Sequence, residues 1–120
     1  MLTFSLPERV ALVAALAVLW FLFRRRQPVV PLGQERLAQL RANGAQIIDV
    51  RTPDEFAQGH APGSRNLPLG ELEAQLGTLR KDLPVLTCCA SGMRSGMAAG
   101  ILRKAGFTDV INAGRWTALQ

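Results

Sequence analysis

The sequence predicts an α/β domain, a parallel sheet with helices on both faces, preceded by one transmembrane helix. Three observations predict it. Short apolar runs alternate with helical patterns across brief connections, as they do where parallel strands are joined by crossover helices. One such run, Val85-Leu86-Thr87, leads through Cys88-Cys89 and several small residues to Arg94, which opens a helical pattern. An uncharged run, Val10 to Phe23, stands ahead of all the others and is followed at once by Arg24-Arg25-Arg26. The expected division is an anchor with its basic flank over residues 1–26 and one domain over residues 27–120.

The fourteen residues from Val10 to Phe23 would make about 21 Å of helix, short of a bilayer core of about 30 Å. Ser5-Leu6-Pro7-Glu8 has the spacing of a capping box, however, and a helix begun at Leu6 and continued to Arg25 would reach about 30 Å. Trp20 would then lie near one headgroup layer. A cleaved secretory signal fits less well, because the run ends in Trp20-Phe21-Leu22-Phe23 and three arginines rather than in small residues. A buried core helix also fits less well, because every face is apolar. The expectation is a single-pass anchor across residues 6–23 in the inner (cytoplasmic) membrane. The arginines following the span place the rest of the chain in the cytoplasm, a reducing space that suits free cysteines.

Further along, Gln27-Pro28-Val29-Val30-Pro31 reads as a linker or first edge strand. Gln34 to Ala42 carries Leu37 and Leu40 at helical spacing and ends at Asn43-Gly44. Gln46-Ile47-Ile48-Asp49-Val50 reads as a strand buried on both faces, as a parallel sheet requires. A helical turn follows at Pro53–Gln58, then loop residues 59–63, a short extended piece at 66–68, and an amphipathic helix over Leu69–Leu79. Pro84 to Cys88 is the next strand, Ser95 to Ala105 the next helix with Gly106 as its cap, and Asp109 to Ile111 the last strand.

Charge excludes one class of function. Of fourteen basic residues, four lie at or before Arg26; beyond it stand ten basic and eight acidic residues, a balance of +2. That is too even for a nucleic-acid footprint, which needs a clustered basic face. Two adjacent cysteines cannot form a normal bridge, since neighbouring Cα atoms are about 3.8 Å apart and a disulfide needs about 4.4–6.8 Å. With a single histidine, zinc spacing is absent, and no metal or cofactor is expected. Thiol chemistry remains. A strand, tight loop and helix N-terminus converge backbone N–H groups on one point, where a cysteine would be held as thiolate.

The motifs carry a resemblance. Ile48-Asp49-Val50-Arg51-Thr52-Pro53-Asp54-Glu55-Phe56 and Gly59-His60-Ala61-Pro62-Gly63-Ser64-Arg65-Asn66-Leu67-Pro68 resemble the two N-terminal signatures of the rhodanese family. Cys89-Ala90-Ser91-Gly92-Met93-Arg94-Ser95 resembles its active-site loop, and Lys104-Ala105-Gly106-Phe107 with Val110 the segment after it. The chain is thereby identified as a single-domain, rhodanese-like sulfurtransferase, with a rhodanese-like parallel sheet. The resemblance implies that Cys89 takes sulfane sulfur from a donor such as thiosulfate as a persulfide and passes it to a thiol or cyanide. Ala90, Ser91, Gly92, Met93, Arg94 and Ser95 would form the loop that binds the anion. The membrane suggests a membrane-protein partner.

Counted from Cys89, the spacing to Arg94 is C-x4-R, the sulfurtransferase length; counted from Cys88 it is C-x5-R, the related phosphatase length. The place of Gly92 favours Cys89 and leaves Cys88 as the last strand residue, directed into packing. A phosphatase or arsenate reductase on this loop, or a persulfide carrier or recruitment module with little turnover, are the alternatives. Arg94 either steers an anionic donor or is a structural charge, the two being evenly matched. Ser91 and Ser95 favour loop and cap duties over contact with a persulfide. Asp49, Arg51 and Glu55 read as a structural ion-pair cluster. The resemblance puts His60 in a structural loop, and Arg65 is a candidate for the pocket border. The family's usual closing Gly-Gly and aromatic helix are replaced by Asn112-Ala113-Gly114-Arg115-Trp116, with Trp116 a candidate to cover the core.

Overall fold

The computed structural model describes residues 3, 5–24 and 27–120. Helix α1 runs from Leu6 to Arg24, α2 from Gln34 to Ala42, α3 from Pro53 to Ala57 and α4 from Met93 to Lys104. Strands β1 (Gln46–Asp49), β2 (Arg65–Asn66), β3 (Val85–Cys89) and β4 (Val110–Arg115) form one sheet in the order β2-β1-β3-β4, every pair parallel. The domain is the α/β architecture expected.

The two faces of the sheet follow from strand alternation. On one face Ile48, Val85, Cys89 and Val110 pack with Ala98, Ala99 and Leu102 of α4 and with Leu72 and Leu79. On the other, Ile47, Leu86 and Cys88 pack with Leu37 and Leu40 of α2, Ala61 and Leu119. Both cysteines are buried, and their side chains join opposite layers.

Several boundaries differ from expectation. The helix expected over Leu69–Leu79 is two 3-10 segments, Leu69–Glu71 and Glu73–Thr78. Gly70 and Gly77 each cost an α-helix about 1 kcal/mol against alanine, and burial of Leu72 and Leu79 is reached without one. Helix α4 starts at Met93, two residues earlier than expected, because Gly92 adopts φ +99° and turns the chain directly into the helix. Strand β3 extends to Cys89, so Cys88 is the penultimate strand residue. Strand β4 continues to Arg115, past an irregularity where Cys88 pairs with Gly114 rather than Ala113. Val29 makes a parallel bridge to Asn112, so the linker does carry a minimal edge contact.

At the carboxy-terminal side, the 3-10 segment Trp116–Leu119 buries Leu119, and Arg41 donates to the Leu119 carbonyl. Trp116 is half-buried under the Arg51 guanidinium, 4.7 Å from the ring centroid, and covers that end as the sequence suggests.

Helix α1 falls short of the span the sequence predicts. Among the described residues no helix is long and apolar enough to cross a membrane. Nineteen residues make about 28 Å, and Glu8 and Arg9 occupy the first turn. Leu6, Val13 and Leu19 are 75%, 65% and 61% exposed, so their apolar surface is not covered by the domain. Arg25 and Arg26 of the basic flank lie outside the described residues.

Candidate active site

Cys89 closes β3 at the carboxyl end of the sheet, with the loop Ala90-Ser91-Gly92 between it and α4. Ala90, Ser91 and Met93 are exposed and form the rim; Cys89, Gly92 and Ser95 are buried and form the floor. Gly92 is required here twice over. Its φ of +99° is a left-handed conformation that side chains resist, and a Cβ would lie 2.7 Å from Cγ2 of Val29.

The cysteine sulfur is surrounded by donors. The Gly92 N–H donates to Sγ at 3.0 Å and the Ser95 N–H at 3.4 Å, while Ser95 Oγ lies 3.3 Å away. Burial pushes the Cys89 thiol up, but hydrogen bonds from the Ser95 hydroxyl and from the N–H groups of Ser95, Ser91 and Gly92 outweigh it. The net result holds the thiol below its ordinary 9.0. These N–H groups belong to the opening of α4, whose dipole acts in the same sense. For Cys88, burial dominates, the Asp49 carboxylate adds to it, and the thiol is pushed up to about 12. The two adjacent thiols thus occupy opposite electrostatic situations.

Arg94 is not directed into the loop. Its guanidinium makes a two-pronged bond to Glu55, Nη1–Oε1 2.7 Å and Nη2–Oε2 2.9 Å. That bond with Arg94, with further help from the Thr52 backbone N–H, holds the Glu55 carboxyl down at about 2. The expected cluster of Asp49, Arg51 and Glu55 is therefore divided. Asp49 and Arg51 form a buried pair, Nη2–Oδ2 2.7 Å, and Arg51 also donates to the carbonyls of Glu55 and Gly59. Glu55 instead caps α3 through Thr52 and ties it to the first turn of α4 through Arg94. Its partner is 39 positions away in sequence, beyond what local spacing can reveal.

Ser95 does more than cap, since its hydroxyl lies between Cys89 Sγ and Asn112 Oδ1. His60 stacks on Phe56 at 3.8 Å and its Nδ1 meets the Phe56 carbonyl at 2.9 Å, which is the structural place expected. Arg65 donates to Thr78 and lines a cavity of about 210 Å³ with Gln46 and Leu79. That cavity opens at the amino-terminal end of β1, away from Cys89, so Arg65 does not border the cysteine loop. Among the described residues no group of three His, Cys, Asp or Glu side chains could hold a metal ion.

Asn112 was not foreseen as part of this site. Its signal was present, since a polar residue within the apolar run Val110–Ala113 must find partners when buried. It is 2% exposed and bonds Ser95, Gly92, Gly114 and Gln27.

Comparison with known proteins agrees with this geometry. The chain is similar to the uncharacterized protein YqhL of Bacillus subtilis, 48% identical over 68 residues, covering 57% of this chain and 54% of that protein. It thus spans about half the length of that relative. It is 37% identical over 79 residues to the thiosulfate sulfurtransferase GlpE of Pseudomonas aeruginosa, covering 66% of this chain and 72% of that one. Among solved structures it resembles a rhodanese with anions from E. coli, with a TM-score of 0.59 and 37% identity over 62% of this chain and 89% of that one. The family description "Rhodanese-like domain" matches residues 33–114, more than half of the sequence, and the chain belongs to the rhodanese-like domain family.

Proposed function

We propose that the chain is a rhodanese-type sulfurtransferase that carries sulfane sulfur on Cys89. The observation that carries this reading is the seating of the Cys89 sulfur against the Gly92 and Ser95 N–H groups at the mouth of α4. The Cys89 thiolate attacks the outer sulfur of a thiosulfate-like donor; the donor's S–S bond breaks, and sulfite leaves with the electron pair. The product is Cys89–S–S⁻, whose negative outer sulfur remains near the loop's N–H groups. An acceptor thiolate or cyanide then attacks that outer sulfur and the Cys89 thiolate is restored. No general base is needed, because the nucleophile is already favoured as thiolate.

Ala90, Ser91, Gly92, Met93, Arg94 and Ser95 are the loop that receives the donor. Within it the N–H groups, rather than the Arg94 side chain held by Glu55, supply most of the attraction for an anion. A phosphatase reading from Cys88 is disfavoured by the burial of that thiol on the opposite face and its rise to about 12. Turnover is tested by supplying thiosulfate and cyanide to the full chain and measuring thiocyanate. Formation that vanishes in Cys89→Ser is expected; hydrolysis of aryl phosphate without thiocyanate would overturn the reading.

We further propose that α1 attaches the domain to the inner membrane, with the domain on the cytoplasmic side and a membrane protein as donor or acceptor. Support comes from its exposed apolar surface and from the basic flank that follows. A helix slightly shorter than the hydrocarbon layer is accommodated by local thinning of the bilayer and by flanking arginines that reach the headgroups. Recovery of the chain in the alkali-washed membrane fraction is expected. Recovery in the wash would contradict attachment, and a reporter fused after Gln120 active only in the periplasm would reverse the orientation.

A further inference from the structure

Asn112 is a buried polar group that the sulfur-transfer chemistry leaves unused, and its side chain joins the cysteine loop to the linker and to β4. Its Nδ2 donates to the carbonyls of Gln27 at 2.8 Å and Gly92 at 3.2 Å. Its Oδ1 accepts from the Ser95 hydroxyl at 2.7 Å and from the Gly114 N–H at 3.1 Å. Two donors and two lone pairs are thereby filled. The amide orientation is fixed by this set, since a flipped side chain would turn its oxygen toward two carbonyls and its NH2 toward an N–H.

We propose that Asn112 is a positioning residue for Cys89: it holds the Ser95 hydroxyl beside the sulfur, fixes the turn at Gly92, and builds the linker 27–30 into the loop's support. This rests on the reading of Cys89 as the sulfur carrier. With the thiol protonated, Cys89 S–H donates to Ser95 Oγ at 3.3 Å and the Ser95 O–H donates to Asn112. When the proton leaves, the hydroxyl turns toward the sulfur, and its oxygen is already in place because Asn112 held it there.

The linker enters through the same residue. The Val30 N–H donates to the Asn112 carbonyl at 2.8 Å and the Gln27 N–H to the Gly96 carbonyl at 3.2 Å. The Val29 side chain fills the space behind Gly92 and Gly114, where added Cβ atoms would stand 2.7 and 2.8 Å from it. The segment directly after α1 is therefore part of the wall behind the cysteine loop.

The test uses the full chain with Cys88→Ala, so that one thiol remains. Two quantities are read: the rate of persulfide loading from thiosulfate in a single turnover, and the pH midpoint of Cys89 alkylation by iodoacetamide. The charged groups near the loop are the Arg94–Glu55 pair, Arg115 beside Cys89 on β4, and Asp49–Arg51 beside Cys88; none of them is altered. Ser95→Ala is expected to raise the midpoint and slow loading about tenfold, the worth of a hydrogen bond to a charged group. Asn112→Ala is expected to slow loading similarly without raising the midpoint, because the Ser95 hydroxyl gives up its bond to Asn112 when it turns to the sulfur. Because Asn112 acts largely through Ser95, the double variant is expected to be slower than the slower single by no more than about twofold. A loading rate unchanged by Asn112→Ala, a midpoint raised by it as far as by Ser95→Ala, or fully additive effects on loading would overturn the proposal. Amide NMR of the protein with Asn112 intact gives a reading that needs no substitution there. The Asn112 side-chain NH2 signals should follow the Cys89 titration, and signals that do not move would contradict it. If the alkylation results hold while no donor loads sulfur, the sulfurtransferase reading fails and the positioning role stands.

Discussion

Cys88 and Cys89 differ by one position in a strand, and that single step decides their surroundings. Successive strand side chains point to opposite faces, so Cys88 enters a layer of Leu37, Leu40 and Leu86, while Cys89 reaches the opening of α4. The loop spacing and Gly92 assign Cys88 to packing from sequence, and its side chain does lie in the α2 layer. The partner of Glu55 was not legible there, since three charges close in sequence suggested one cluster and Arg94 lay far away. The Arg94–Glu55 pair has a pH consequence. Glu55 is lowered from its ordinary 4.5 to about 2, so the stability it contributes is present above pH 4.5 and is lost as pH falls toward 2. Glu55→Gln should flatten the fall in urea-unfolding stability over that window; an unchanged acid profile would contradict the pairing. Cys88 works in the opposite sense. Its raised value makes its contribution complete below pH 9.0 and lost as pH rises toward 12, so Cys88→Ala should flatten the alkaline limb of the same measurement.

Elements with a clear apolar period, α2, α4 and the central strands, were legible because their buried residues recur at the spacing their geometry demands. The stretch Leu69–Leu79 carried a helical period but also two glycines, and the chain met its burial needs with tighter turns instead. The linker could not be read as part of the site, because its packing depends on β4 reaching Asn112 some eighty residues later. Gly92→Ala forces a side chain into a left-handed backbone and against Val29, and should cost about 1–3 kcal/mol of stability. Val29→Ala in the same protein should recover only the steric part, leaving the melting temperature below that of the parent. Full recovery would mean that backbone strain at Gly92 is absent.

For the molecule as a whole, the parallel sheet fixes where chemistry can occur, since β3 delivers Cys89 to the sheet's carboxyl end and α4 aims its first N–H groups at it. The domain was legible in sequence because four separated motifs and the β/α alternation agree on one architecture. The expected span fared differently: the apolar run suggested a crossing, but among the described residues no helix is long and apolar enough to cross a membrane. The central claim concerns one sulfur atom on one side chain. Weighing the intact chain after thiosulfate treatment tests it most directly. A gain of one sulfur atom is expected, kept in Cys88→Ala, absent in Cys89→Ser and removed by cyanide. A gain that survives Cys89→Ser, or no gain from any sulfane donor in a folded chain, would contradict it.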